Sequence, residues 1–298
     1  MTGQLALLDA GPAVDLLDVD TCQRRWQVEP GEVFLLAGQT AGHVLICGDS
    51  RSPEVARRLI ELSGFARRRV AIADPPYGLG LRFGENTTGQ GGHTMPARRT
   101  DRTIDGGDRF DASWMPVWKA AASPCAVYMF TGWIISAAWH EAMKANGWGP
   151  KHRIIWDKLH YGSGDITSYG DQTEDVFVWF GRGVKPIWPK REGNVWHEPR
   201  GVALEGGQVG HPTPKPFGLY RRPIEHVTAP GDVVLDMFAG SGPALIVADG
   251  LRRRAALVDA SPRYCALILE RASRYSIHLT DRFKDPTCLP ASPACSPA

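Results

Sequence analysis

Val233-Val-Leu-Asp-Met-Phe-Ala-Gly-Ser-Gly242 is the stretch that decides the fold. Apolar residues run into an acid, a glycine-rich turn follows, and an apolar stretch continues to about residue 251. That succession predicts a buried strand, a tight turn and a helix. Glycines in such a turn let the backbone approach a ligand closely, and the helix N-terminus behind them offers free N–H groups. On its own the turn is equally well a tight connection. The next strand, over 254–258, ends at Asp259, where a carboxylate can accept hydrogen bonds from both hydroxyls of a ribose. Together the two features point to a nucleoside-bearing cofactor, with a nicotinamide dinucleotide and S-adenosylmethionine both open at this stage. No Gly-Lys dipeptide occurs in the chain, which removes a phosphate-cradling P-loop.

Outward from this unit the chain keeps an α/β rhythm. Strands are expected at 43–47, 70–73, 126–130, 153–156 and 175–179, and helices at 53–62, 114–122, 133–145, 216–226 and 262–275. Residues 1–42 read as an arm with one short strand at 33–36, residues 43–280 as the main domain, 181–210 as an irregular insert, and 281–298 as a flexible tail. The 298 residues, 43% apolar and 22% charged, suffice for a sizeable core. Lys plus Arg number 34 against 32 Asp plus Glu, a net charge of +2, which neither demands nor excludes a polyanionic partner. The six cysteines contain no Cys-x-x-Cys pair, so neither a zinc site nor a disulfide framework is expected. No apolar run approaches the roughly 18 residues of a membrane span, and a cytoplasmic protein is expected.

The expected strand 70–73 stops at Asp74-Pro75-Pro76-Tyr77. Two prolines fix the backbone and remove competing N–H groups, so that the Asp74 carboxylate and the Pro75 carbonyl can face one donor. An exocyclic amine supplies two such protons. Accepting both from adenine N6 or cytosine N4 draws the nitrogen toward tetrahedral geometry and frees its lone pair to attack a methyl sulfonium in line. Tyr77 adds a face for stacking on a base, a contact worth about 1–3 kcal/mol.

Four segments, in this order, resemble the S-adenosylmethionine-dependent amino DNA methyltransferases of the β group: Gly48-Asp49-Ser50, Asp74-Pro-Pro-Tyr77, His211-Pro-Thr-Pro-Lys215-Pro216 and Val234 to Gly242. The resemblance implies a Rossmann-like α/β fold with a mostly parallel seven-strand sheet in permuted order, the catalytic segment preceding the cofactor segment. It makes Asp74, Pro75, Pro76 and Tyr77 the catalytic tetrad and S-adenosylmethionine the cofactor. It sets Asp49 on the cofactor adenine, Thr213 and Lys215 on its carboxylate, and Asp236, Phe238, Gly240, Ser241 and Gly242 in its loop, with Asp259 on the ribose. Two departures stand out: Met237 replaces a common proline, and Asp259 an often longer glutamate. Thr173-Glu174 stands where the family often has a His-Glu pair, and no catalytic role is assigned to it here. Carbon-5 chemistry needs a nucleophilic thiolate; Cys125 opens an apolar strand and lacks the accompanying Gln.

The resemblance further implies methylation of adenine N6 in double-stranded DNA, of the restriction-modification type. Asp rather than Ser leads the tetrad, which favours adenine. Cytosine N4 is the alternative, and a catalytically silent DNA-binding or cofactor-sensing protein the alternative of another class. The base must be rotated out of the duplex. No metal or membrane is expected to take part, and a homodimer is left open. Candidate phosphate contacts are Arg82, Arg98, Arg99 and Arg102 in a loop over 78–111, expected to close as a lid on DNA, and Arg182, Lys185, Lys190, Arg191 and Arg200 in the insert, with Trp188 and Trp196 as wedges or stacking surfaces.

Overall fold

The computed structural model describes residues 18–77, 109–161, 169–188, 191–199 and 215–289. The expected lid up to residue 108, with its arginines, and Thr213, Lys190 and Arg200 lie outside these residues. In chain order the described elements are α1 (Val19–Trp26), β1 (Glu32–Ala37), β2 (Ala41–Cys47), α2 (Pro53–Ser63), β3 (Arg69–Ala73), α3 (Trp114–Ala122) and β4 (Ala126–Thr131). They continue with α4 (Ser136–Ala145), β5 (His152–Asp157), β6 (Thr173–Phe180), β7 (Val195–His197), α5 (Phe217–Val227) and β8 (Val233–Asp236). The last are α6 (Pro243–Gly250), β9 (Arg254–Asp259), α7 (Pro262–Arg274) and β10 (His278–Lys284).

Helix starts follow local chemistry. Ser52 and Ser261 cap α2 and α7 by accepting the N–H groups of Val55 and Tyr264, each with a proline at the next position. The strands form one sheet in the order β10-β1-β2-β9-β8-β3-β4-β6-β5-β7. Its central five, β2, β9, β8, β3 and β4, are mutually parallel. β1 runs antiparallel to β2 and β10, and β6 antiparallel to β4 and β5.

The central strands are apolar on both faces, as parallel strands between two helix layers must be. Val70, Ile72, Tyr128, Phe130, Val234 and Leu257 enter the core beneath α1, α5, α6 and α7. Ala71, Ala73, Val127, Met129, Leu235 and Val258 enter the core beneath α2, α3 and α4. The result is a three-layer α/β/α arrangement.

Ten described strands replace the expected seven. Besides β1, which is the short strand expected at 33–36, the additional ones are β7 and β10, both at sheet edges, where burial on one side suffices and no apolar run announces them. The stretch expected to be an arm is folded from residue 18, where the Asp18 side chain caps α1. The expected tail is likewise folded through residue 289: β10 pairs along all of β1, and Asp285 caps a short 3-10 turn. Among the described residues no helix is long and apolar enough to cross a membrane.

One buried carboxylate ties the edge hairpin to the body. Asp249 accepts from the backbone N–H of Gln39 (3.1 Å) and Thr40 (2.8 Å) and lies 3.0 Å from His43 Nε2. His43 Nδ1 accepts the Ala255 N–H, so Nε2 carries the proton and donates to Asp249. Replacing Asp249 leaves three donors without this acceptor. Asp249→Ala is expected to lower stability by about 3 kcal/mol, read as a lower urea midpoint with unchanged slope.

Candidate active site

The parallel centre of the sheet fixes where chemistry can gather. β3 lies between β8 and β4, with Ile72 opposite Asp236 and Ala73 opposite Met129. Asp74, one residue beyond β3, and Asp236, the last residue of β8, therefore share the carboxyl rim of the sheet, the usual site for ligands in this architecture. Because β6 runs antiparallel to β4, its first residues meet the same rim: Asp175 pairs with Thr131. Glu174 is thereby carried to the tetrad from 97 residues away in the chain.

A buried charge cluster results. Lys215 Nζ donates to both Asp74 oxygens, at 2.9 and 2.8 Å, and lies 3.5 Å from Glu174 Oε2. Glu174 accepts the Tyr77 hydroxyl at 2.7 Å and pairs through its other oxygen with Lys158 at 3.1 Å. Lys215 and Lys158 are almost fully enclosed, at 5% and 6% side-chain exposure. The rings of Tyr77, Phe130 and Trp156 surround the Lys215 ammonium at 5.3, 5.5 and 5.8 Å. Two carboxylates and two ammonium groups balance one another, the condition under which ions tolerate burial.

Burial works against the charge of Lys215, yet the facing Asp74 and Glu174 outweigh it and hold the ammonium protonated above its ordinary range. Burial likewise opposes Glu174 ionisation, and Lys215 and Lys158 overcome that, keeping its carboxyl below the usual value. Burial raises Asp74 despite Lys215, and it raises the Tyr77 hydroxyl further, leaving it a donor.

The neighbouring rim residue is in the opposite situation. Asp236 Oδ1 accepts the Phe238 N–H at 3.1 Å, while its buried Oδ2 has no hydrogen-bond partner among the described residues. Burial pushes this carboxyl up to about 8. After it the chain turns through Gly240 and Gly242, at φ +53° and +76°, conformations that favour glycine. A Cβ on Gly242 would also stand 3.0 Å from Ile268 Cγ1, so the close seat of α6 on α7 needs the missing side chain. Asp259 braces the turn: Oδ2 accepts the Gly240 N–H at 2.8 Å and Oδ1 the Ser261 N–H at 2.9 Å.

Several residues expected at the cofactor have partners within the protein. Lys215, expected on a cofactor carboxylate, spends its ammonium on Asp74 and Glu174. Ser241 turns inward, where buried Arg271 donates to its carbonyl at 2.9 Å and its hydroxyl at 3.1 Å. Asp49 accepts the Arg51 N–H and pairs with the Arg51 guanidinium at 2.6 Å, interactions that outweigh burial and hold its carboxyl low. Phe238 packs edge-on against Trp114 at 5.2 Å.

The described start of the insert sits at the far rim. Gly181 N–H bonds the carbonyl of Cys125, just before β4, and Arg68 and His226 hold Lys185 and Ile187 beside the start of β3 and the end of α5. Arg182 and Lys185 are therefore remote from Asp74, and Arg191 leads into β7 from the same side, since β7 runs parallel to β5. Trp196, a proposed wedge, is buried beneath Arg222 and beside Tyr128. Glu174 and Lys158 were not anticipated as site residues. The Thr173-Glu174 position was visible in the sequence, but the reversed direction of β6 that brings it to the rim was not.

Comparison with known proteins accords with this arrangement. A family model for N6/N4 enzymes, described as DNA methylase, matches residues 69–270. The chain is 25% identical over 225 residues to the type II methyltransferase M2.DpnII of Streptococcus pneumoniae, covering 68% of this chain and 81% of that one. Over 90 residues it is 40% identical to the DNA adenine methyltransferase YhdJ of Escherichia coli strain K12, 29% of this chain and 31% of that one. Among solved structures, the M1.HpyAVI–SAM complex superposes with a TM-score of 0.54 at 17% identity, covering 78% of this chain and 98% of that one. The cytosine-N4-specific PvuII DNA methyltransferase superposes with a TM-score of 0.51 at 14% identity, covering 81% and 95%. At such identities the two structures speak for the fold alone, whereas the family model spans most of the sequence: the chain belongs to the N6/N4 DNA methylase family and is a DNA methyltransferase.

Proposed function

We propose that the protein transfers the methyl group of S-adenosylmethionine to adenine N6 in double-stranded DNA. One observation carries the reading: Asp74 and Asp236 end neighbouring strands, the first charge-compensated beside two prolines, the second buried with an oxygen left unpaired. A buried carboxylate with a free oxygen suits the ammonium of an amino acid, and the glycine turn beside it leaves room for close backbone contact. Asp259, which ends the adjacent strand β9 and braces this loop, is the carboxylate we assign to the ribose hydroxyls. When bound, S-adenosylmethionine supplies an electrophilic methyl on a positively charged sulfur.

The chain's own residues would do the rest. Asp74 and the Pro75 carbonyl accept the two amine hydrogens and turn the nitrogen lone pair toward the methyl carbon. Asp74 stabilises the positive charge that grows on nitrogen as the N–C bond forms and the C–S bond breaks, an interaction strongest in the transition state. One amine proton then departs, with Asp74 the adjacent base. Tyr77, its hydroxyl fixed by Glu174, offers its ring to the rotated base. Adenine is preferred over cytosine because Asp leads the tetrad, and the name of the relative YhdJ agrees.

Incubation with methyl-labelled S-adenosylmethionine and plasmid DNA, followed by digestion to nucleosides, should place the label in N6-methyladenine. Label confined to N4-methylcytosine would overturn the adenine assignment, and no label would overturn the reading. Asp74→Ala should lower kcat by a factor on the order of 100–1,000 while cofactor affinity changes by no more than about threefold. Equal losses in rate and affinity would contradict the division of roles.

Asp236 allows a pH test. Its carboxyl binds a proton more tightly folded than unfolded, so its contribution to stability is present at low pH and is lost as pH rises from the unfolded value toward about 8. Asp236→Asn removes that dependence. Without cofactor, the variant should gain more in Tm over the unaltered protein at pH 8.5 than at pH 5.5, while its S-adenosylmethionine affinity falls by about tenfold or more. An unchanged Tm difference between the two pH values would refute the buried, unpaired carboxylate.

A further inference from the structure

The Lys215 ammonium occupies both oxygens of Asp74, the group that, on the function proposed above, must receive the target amine. It has no easy route to water, being 5% exposed and surrounded by three aromatic rings. Among the described residues one other carboxylate oxygen is within reach, Glu174 Oε2 at 3.5 Å. Lys158 holds the opposite oxygen of that carboxylate and the Tyr77 hydroxyl holds the near one, so Glu174 is fixed in place.

We propose that Glu174 is a positioning residue for the transfer, the second anchor onto which Lys215 moves when the target amine takes its place on Asp74. The lysine stem rotates easily, and the ammonium is a compact charge that keeps its attraction for the surrounding ring faces in either position. A small displacement then exchanges a short bond to Asp74 for a short bond to Glu174. No ion is left uncompensated, whereas a lysine driven from Asp74 without a second carboxylate would carry a buried, unpaired charge. Lys158 contributes by keeping Glu174 from following Lys215 toward Asp74. Glu174 touches neither cofactor nor base in this scheme and acts through Lys215.

The inference rests on the function proposed above, and its test separates the two. Glu174→Gln retains an oxygen to accept the Tyr77 hydroxyl but loses the charge that would hold Lys215. With labelled S-adenosylmethionine and plasmid DNA, it should lower kcat by about tenfold or more, with the KM for DNA and the affinity for cofactor within about threefold of the unaltered protein. In a Lys215→Met background, itself slow, the same change should cost no more than about twofold, because the ion it anchors is gone. Lys158→Met, which frees Glu174 without removing its charge, should show the same split of kcat against KM and serves if Glu174→Gln fails to fold. Unaltered kcat in Glu174→Gln, a matching loss of cofactor affinity, or costs that multiply in the double variant would each overturn the proposal. Absence of transfer by the unaltered protein would instead overturn the function and this inference with it.

Discussion

The ion pair between Lys215 and Asp74 is the constraint around which the rim is assembled. It joins residues 141 positions apart, one leading into α5 and the other leaving β3. Neither ion would be tolerable there alone, since an unpaired charge in such a site costs several kcal/mol. The sheet must therefore deliver both, along with Glu174 and Lys158, to one spot. Parallel β3 and β4 and antiparallel β6 and β5 achieve this because β3 and β4 end, and β6 begins, at the same edge. The charge cluster thus fixes the relation of three strands and a helix entry more tightly than apolar packing, which is non-directional, would do.

The two rim aspartates show how one edge holds carboxylates of different character. Asp74 is compensated within the protein; Asp236 is not, and burial raises it to about 8. An uncompensated buried acid weakens the folded state near neutral pH. On the function proposed above, Asp236 Oδ2 is the oxygen kept for the cofactor ammonium, with stability yielded locally to binding. Arg271 and Asp259 offset part of that weakness by bracing the loop from below and beside it.

The central strands were legible in the sequence because burial on both faces makes them continuous apolar runs: 70–73, 126–130 and 233–236 match β3, β4 and β8 to within a residue. The acid-ended strands and the glycine turn likewise located the rim. Periodicity carries no information about strand direction, and that is why neither the approach of Glu174 to Asp74 nor the distance of Arg182 and Lys185 from it is legible in the sequence. The sequence of β10, His278 to Lys284, is largely polar, and its strand form depends on partner β1, from more than 240 residues earlier. Trp196 looked like an exposed wedge for a similar reason, since only the three-residue β7 beside β5 buries it.

The pairing of β1 with β10 sets Glu32 opposite Lys284 and Ala37 opposite His278. The first and last described strands along the chain are thus neighbours in the sheet, and residues far apart in sequence are adjacent in space. Linear order is then nearly decoupled from three-dimensional arrangement. A short peptide joining the two regions, with a new opening in a surface connection elsewhere, would leave every strand pairing and the charge cluster in place. Within such an architecture the strands that lead to Asp74 and Asp236 would keep their places at the rim whichever of them came first along the chain.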